Sequence, residues 1–540
     1  MNSEAVLASG NSVIFSDVKL SNPLLDSPDG ETLLVSVPLP GRVQVKTREG
    51  VEFRPDMVLV VLSSRTFNPE TRRFEDRPEF FEARIDEFTK RGWFAKVPTS
   101  SVLEQRWEAE KIKEFLDGAA PEADIYALFE KIRLSWTSYM DFEKNPNAET
   151  YLSVWTIGTY FYPLFEYYPY TKFGGVRGVG KTKAGNLLEH LCFNASIFAK
   201  ATPSSIYRYV ENSRGTQIID EGESLANDSE ELAAYYQVLN SGYQANGGAL
   251  LTNKDTMRAE KVPTYSPKAI CSIGGLRETL EDRAFEIIVY KSNRREITDR
   301  TVPKGDAPEW KALRNGLYLA LFQKWKEVKE AYDTLSNQYQ FDGRFWDLAK
   351  PLIALAKVID SHAPEGRRTT ETALLSFLRG CLKAKAESAQ ATDSGSVLFH
   401  LLSALKKRCA EDSVQPDYAF RIPIKDIVEE GVKVEGEGFA KLYSARRIAG
   451  VLKNLRLYNK PKRSSASGGF TFLVSLQEAT ETARRYNLET EDTEDTEPTE
   501  PVSDTPSPYS LDGLNEASLS KNGSEDSVSS VSSGKEDSKP

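Results

Sequence analysis

The stretch "FGGVRGVGKTKAGNLLEHL" (residues 173–191) decides how the rest of the chain is read. It sets Gly175, Val176, Arg177, Gly178, Val179, Gly180, Lys181 and Thr182 in the spacing G-x-x-x-x-G-K-T, directly before a helical apolar pattern at Leu187, Leu188 and Leu191. Glycines at those places let the backbone curl until successive N–H groups face one anion, and the helix that follows turns its positive end to the same point. A lysine there reaches the β- and γ-phosphates, and the hydroxyl beside it ligates Mg²⁺. The spacing therefore predicts a cradle for ATP and Mg²⁺ on residues 175–182. A glycine-rich turn without a ligand is the bland alternative. The extended "YPYTKF" before the motif and the helix after it favour the cradle.

A cradle binds; hydrolysis needs an acid on a neighbouring strand. "TQIIDEGE" (216–223) supplies one, with Ile218 and Ile219 predicted to bury the strand and Asp220 at its end to hold Mg²⁺. Glu221 beside it is placed to polarise the attacking water. Thr202 as N-cap and Pro203 as first helical residue predict a clean helix start between the two motifs. A third element, "PKAICSIGGLRETLEDRAFEIIVYK" (267–291), reads as strand, Gly-Gly turn, short helix and strand. Ser272, ending its first strand, is the candidate sensor of the γ-phosphate, with Thr279 behind it. Arg283 opens the last strand and is the candidate finger reaching a neighbouring subunit's ATP. An ordinary ion pair of Arg283 with Glu281 or Asp282 is its alternative.

Length and composition bound these readings. The chain has 540 residues, 40% hydrophobic and 27% charged, which predicts several soluble domains. Four scattered cysteines and three histidines offer no zinc spacing and no disulfide framework, so a reducing cytoplasm is expected. The most apolar run, "VWTIGTYFYPLFEYYPY" (154–170), is broken by Pro163, Glu166 and Pro169, which argues against a membrane span. The net charge is −10, yet residues 489–540 alone carry 14 acidic and 3 basic side chains. That leaves about +1 on the remainder, so the acidic balance does not exclude a nucleic-acid partner.

Pattern shifts divide the chain into a β-rich N-terminal domain (1–95), a helical linker region (96–164) and a nucleotide-binding α/β core (165–292). A helical lid and connector (293–394), a winged-helix-like domain (395–488) and a disordered acidic tail (489–540) follow. The aromatics of 148–168 read as a helix packed beside the sheet rather than a base-stacking platform. In the C-terminal domain, "KLYSARRIAGVLKNLRLYNKPKR" (441–463) carries eight basic residues and no acidic one. Ser444 reads as N-cap and Ile448, Val451, Leu452 and Leu455 as the buried face. Arg446, Arg447 and Lys453 then fall on the outer face, and Lys460, Lys462 and Arg463 on a basic ribbon. That order is the helix-and-wing arrangement that binds DNA. A protein-interaction module with a merely basic surface is its alternative.

Together these stretches resemble AAA+ ATPases of the helicase branch, including superfamily 3 and minichromosome-maintenance helicases. They are also similar to the ATPase domain associated with primases of plasmids and phages. "LNSGYQANGG" (239–248), "PKAICSIGGLRETLEDRA" (267–284) and "WDLAKPLIALA" (346–356) match that domain in order and spacing. Gln244, Ala245 and Asn246 stand where the family has arginines, and Ser272 stands at the sensor position in place of an asparagine. The resemblance implies an α/β AAA+ sheet with a helical lid, working as a ring, commonly a hexamer. The stretch 247–268 reads as a hairpin with Asn253-Lys254-Asp255 at its tip, and the resemblance implies that its Lys254, Arg258 and Lys261 grip DNA in the pore, a plain solvated turn being the alternative. The expected function is an ATP-driven DNA motor, a replicative helicase of a mobile element, whose acidic tail meets replication partners. The alternatives are a nucleotide-controlled DNA-binding switch that does not unwind, and an ATPase adaptor recruiting proteins.

Overall fold

The computed structural model describes residues 3–7, 12–15, 31–47, 50–68, 70–71, 73–81, 105–199, 201–220, 230–252, 257, 259–390, 393–463 and 470–485. Near the N-terminus, alternation of valine and leucine with polar residues gives β1 (Ser3–Leu7), β2 (Ser12–Phe15), β3 (Leu34–Thr47) and β4 (Gly50–Ser63). The short ribbon β5 (Thr66–Asn68) and β6 (Arg73–Glu75) comes next, and then β7 (Glu79–Phe81). Five of these form an antiparallel sheet in the order β2-β1-β3-β4-β7.

Three helices follow: α1 (Ala109–Leu116), α2 (Ile125–Tyr139) and α3 (Ala148–Phe161). Asp124 starts α2 by accepting the Ala127 N–H. Every residue of α3 except Glu149 is buried, because its apolar and aromatic side chains cover the whole circumference. Its polar atoms are met locally or across the core. Trp155 Nε1 donates to the Pro169 carbonyl at 2.9 Å, Tyr160 to that of Leu191 at 3.0 Å, and Tyr151 shares a hydrogen bond with Thr171. These rings are core, as their spacing predicted, and not a stacking platform. The stretch read as a linker is thus a centre of packing.

The parallel-sheet region begins with β8 (Tyr170–Gly174), α4 (Lys181–Leu191), β9 (Ser196–Phe198), α5 (Pro203–Ser213) and β10 (Gln217–Ile219). It continues through α6 (Glu230–Ser241), β11 (Gly248–Thr252), β12 (Ala259–Pro263), β13 (Lys268–Cys271), α7 (Glu278–Glu281) and β14 (Ala284–Ile288). Five strands make a parallel sheet in the order β14-β8-β13-β10-β9. β8 lies inside it, with β13 between β8 and the acid-bearing β10. β11 and β12 form a separate antiparallel hairpin.

Four helices complete this body: α8 (Arg295–Thr298), α9 (Pro308–Thr334), α10 (Gly343–Ser361) and α11 (Thr370–Gln390). The last three pack on α3. The first hydrophobic cluster runs from Leu33 to Leu378 and includes both the sheet and these helices. A second cluster, Val397 to Ala483, belongs to α12 (Asp393–Asp412), β15 (Ala419–Pro423), α13 (Ile424–Glu435), α14 (Glu437–Leu442), α15 (Ala445–Asn454), β16 (Asn459–Arg463), β17 (Phe470–Ser475) and α16 (Leu476–Arg485). Its strands form a sheet in the order β15-β17-β16. Among the described residues, no helix is long and apolar enough to cross a membrane, and the four cysteines form no disulfide.

Candidate nucleotide site and basic surfaces

The loop between β8 and α4 is built by its glycines. Gly175, Gly178 and Gly180 have φ of 133°, 81° and 108°, which side chains rarely adopt. At Gly175 the space is closed as well, since a Cβ would stand 2.4 Å from the Val289 carbonyl oxygen at the end of β14. Gly180 caps α4 without a side-chain hydrogen bond, so the first N–H groups of the helix are left for an anion. Lys181 Nζ is folded over the loop, donating to the carbonyls of Gly175 at 2.7 Å and Val176 at 2.9 Å. Val176 and Arg177 are exposed, and Val179 is half-buried.

Strand order brings the second motif to this loop. Thr182 Oγ1 donates to Asp220 Oδ2 at 3.2 Å although 38 residues separate them. Asp220 directly follows β10, and its N–H is held by the Phe198 carbonyl at 3.0 Å. A hydroxyl and a carboxylate at the positive end of α4 form the oxygen set that Mg²⁺ takes, beside the curled backbone that a triphosphate takes. The residues present fit ATP with Mg²⁺. Glu221 lies outside the described residues. α4 lies close on the sheet because Gly185 leaves room for Ile197 and Ile218. Thr202 caps α5 by accepting the Ser205 N–H, with Pro203 in the first turn.

The third motif has its expected order of elements and partners of its own. Ser272 is buried directly after β13, beside β8; its N–H donates to the Phe173 carbonyl at 3.0 Å and its Oγ to that of Gly274 at 2.9 Å. The acids flanking Arg283 are taken by other cations. Glu281 meets Lys172 at 3.0 Å, and Asp282 meets Arg344 at 3.3 Å. Arg283 instead donates from Nε to the Asn240 carbonyl at 3.1 Å and from Nη1 to that of Thr279, with its guanidinium over the Tyr243 ring. Burial, with the Arg344 charge second, lowers its pKa.

The β11–β12 hairpin precedes β13, pairing from Gly248↔Pro263 to Thr252↔Ala259. Lys254 and Arg258 lie outside the described residues. Lys261 donates to the Asn246 carbonyl at 2.8 Å. The root of the hairpin is held by Lys268, which sequence reading passed over. Its buried ammonium donates to the carbonyls of Thr264 (2.9 Å), Ser266 (3.0 Å) and Gly242 (3.2 Å) and to Ser266 Oγ (3.2 Å). Burial pushes its pKa down to about 7, while the oxygens around it favour the charged form. A lysine between "YSP" and an apolar strand was the only signal available. Lys268→Met is expected to cost on the order of 2–4 kcal/mol, because the buried oxygens lose their donor. Chemical denaturation checks the loss, and a stability within error of wild type would rule out the clamp.

In the C-terminal domain, Ser444 Oγ accepts the Arg447 N–H and starts α15. Ile448, Val451, Leu452 and Leu455 are buried, whereas Arg446, Arg447, Lys453, Lys460, Lys462 and Arg463 are all exposed. Arg447 lies over the Tyr443 ring and donates to the Leu442 carbonyl. Arg421 on β15 joins this basic surface, donating to the Lys460 carbonyl at 3.1 Å. It was missed because its strand is distant in sequence, although the alternation in "AFRIP" would have turned it outward.

No protein-family model matches the chain, and no curated protein does. Among solved structures the chain is similar to the SCCmec type IV Cch active helicase at 10% identity, covering 82% of this chain and 97% of that one, with a TM-score of 0.32. It is similar to a full-length MCM homologue from Methanopyrus kandleri at 10% identity, over 66% and 78% of the two chains, with a TM-score of 0.31. It is also similar to JCV helicase at 11% identity, over 50% and 71%, with a TM-score of 0.22.

Proposed function

We propose that the chain is an ATP-hydrolysing DNA motor of AAA+ type, a replicative helicase of a mobile element working as a hexameric ring. The observation that carries the reading is the Thr182–Asp220 contact at the mouth of the glycine loop. The strand order supports it, because β13 between β8 and β10 sets Ser272 beside the loop.

In this reading Lys181 leaves the Gly175 and Val176 carbonyls and pairs with the β- and γ-phosphates of ATP. Thr182 and Asp220 hold Mg²⁺, which neutralises charge on the phosphates when bound. Glu221 accepts the proton of the attacking water, and Ser272 senses the γ-phosphate. Arg283 reaches the ATP of the neighbouring subunit, which requires it to leave its own carbonyl partners. The hairpin, with Lys254 and Arg258, and the winged helix, with Arg446, Arg447, Lys453, Lys460, Lys462 and Arg463, hold DNA phosphates. The acidic tail recruits replication proteins, and the protein works in the cytoplasm.

Strand displacement on forked DNA, with and without ATP, tests the motor directly. Displacement is expected only with ATP. Hydrolysis and DNA binding without displacement would favour the nucleotide-controlled switch instead. Neutralising Arg446, Arg447, Lys460 and Lys462 together should reduce the slope of log affinity against log salt by about 3–4, as those counterions are no longer released. An unchanged slope would make the C-terminal domain a protein-interaction module.

A further inference from the structure

Away from the glycine loop, a cavity of about 460 Å³ borders the outer edge of β14. β14 ends the parallel sheet, and among the described residues no strand covers that edge. α11 stands across the gap and presents Ser376, Gly380 and Ala384, three small residues one turn apart. A Cβ at Gly380 would meet nothing within 4 Å. The opposite wall is Ala284 and Ile288 of β14, and with the Phe377 ring of α11 they make an apolar lining for a small body.

The charges around this space do not balance. The two carboxylates in its wall, Glu281 and Glu286, both bind Lys172, at 3.0 and 2.8 Å. Lys385 lines the same cavity, and its ammonium makes no hydrogen bond or ion pair among the described residues, although the Asp282 and Glu281 carboxylates act on it from a distance. The rings of Phe285 and Phe345 stand over it, at 5.7 and 5.9 Å. Burial lowers its pKa from the usual lysine value. At the far end Lys144 lies over the Tyr290 ring at 5.2 Å. A sequestered ammonium without an acceptor costs stability, and an apolar side chain of the same length would not.

We propose that this cavity binds a small organic anion, a carboxylate or a phosphate monoester with a short apolar body. Lys385 holds the anionic group, with Lys144 at the rim, and the body lies against Ile288, Phe377 and the small-residue face of α11. The site has a path to the nucleotide loop. Lys172 stands on β8, three residues before Gly175, and its partner Glu281 also accepts the Leu276 N–H in the turn after Ser272. An anion beside Glu281 and Glu286 competes for Lys172, so occupancy bears on both the loop strand and the sensor turn.

Calorimetric titration of the full-length protein, saturated with Mg²⁺ and ADP, tests the site with benzoate, phenyl phosphate and inorganic phosphate as probes. Saturable binding of benzoate or phenyl phosphate is expected, and which of them binds distinguishes carboxylate from phosphate monoester. Inorganic phosphate, lacking the apolar body, is expected to bind more weakly. Lys385→Met should weaken the binding about tenfold or more while its melting temperature stays level or rises, and Lys385→Arg should retain binding. The proposal is overturned if neither organic probe binds up to about 10 mM. Undiminished binding to Lys385→Met overturns it equally, as does inorganic phosphate binding as tightly as phenyl phosphate.

Discussion

Lys181→Ala is expected to leave a folded protein with no measurable ATP hydrolysis. Among the described residues the lysine donates to two loop carbonyls, those of Gly175 and Val176, and it is half-buried at the surface. Water can replace it there, so the melting temperature should hardly move. What disappears is the cation over the phosphates. Losing one such group from the reacting centre costs on the order of 10³ in rate. Phosphate release measured beside a thermal melt separates the two effects. A variant hydrolysing within about tenfold of wild type would remove this loop as the ATPase site.

Arg283→Ala should slow hydrolysis by about 10³–10⁵ while ATP binding is kept. The structure sharpens this test, because it offers Arg283 a local task as well. The guanidinium joins the end of α6, through Asn240, to α7, through Thr279, and lies on Tyr243. Loss of that local anchor could not be repaired by another subunit. Mixing Arg283→Ala with Lys181→Ala subunits therefore distinguishes the roles. Some mixed interfaces pair an intact loop with an intact arginine, and activity should return there. If subunit exchange is demonstrated and activity stays absent, Arg283 serves only its own chain.

These two residues also mark how far the sequence could be read. The loop, its helix, the Thr202 cap and the Ser444 cap were legible because each depends on neighbours within a few positions. The Thr182–Asp220 contact followed from a known spacing, although the insertion of β13 between their strands is a tertiary fact. Arg283 was legible as a position but not in its partners. Its carbonyls come from residues 240 and 279, and the acids beside it went to Lys172 and Arg344, which lie elsewhere in the chain. Lys268 was invisible for a related reason. A lysine reads as surface until the fold surrounds it with carbonyl oxygens. The cavity at β14 depends on which strand ends the sheet, and no local pattern specifies that.

The strand order has a consequence for how the protein is made. β8 is the first strand of the parallel sheet to leave the ribosome, and its two neighbours, β13 and β14, are the last. At about 5–20 residues per second, the roughly 94 residues between the end of β8 and the start of β13 take about 5–20 s to emerge. Throughout that interval both edges of β8 lack their native partners, while β9 and β10 can already pair with each other. The strand that carries the glycine loop is thus exposed to mispairing for longer than any other in the sheet, and the sheet around that loop becomes complete only when translation has passed residue 288.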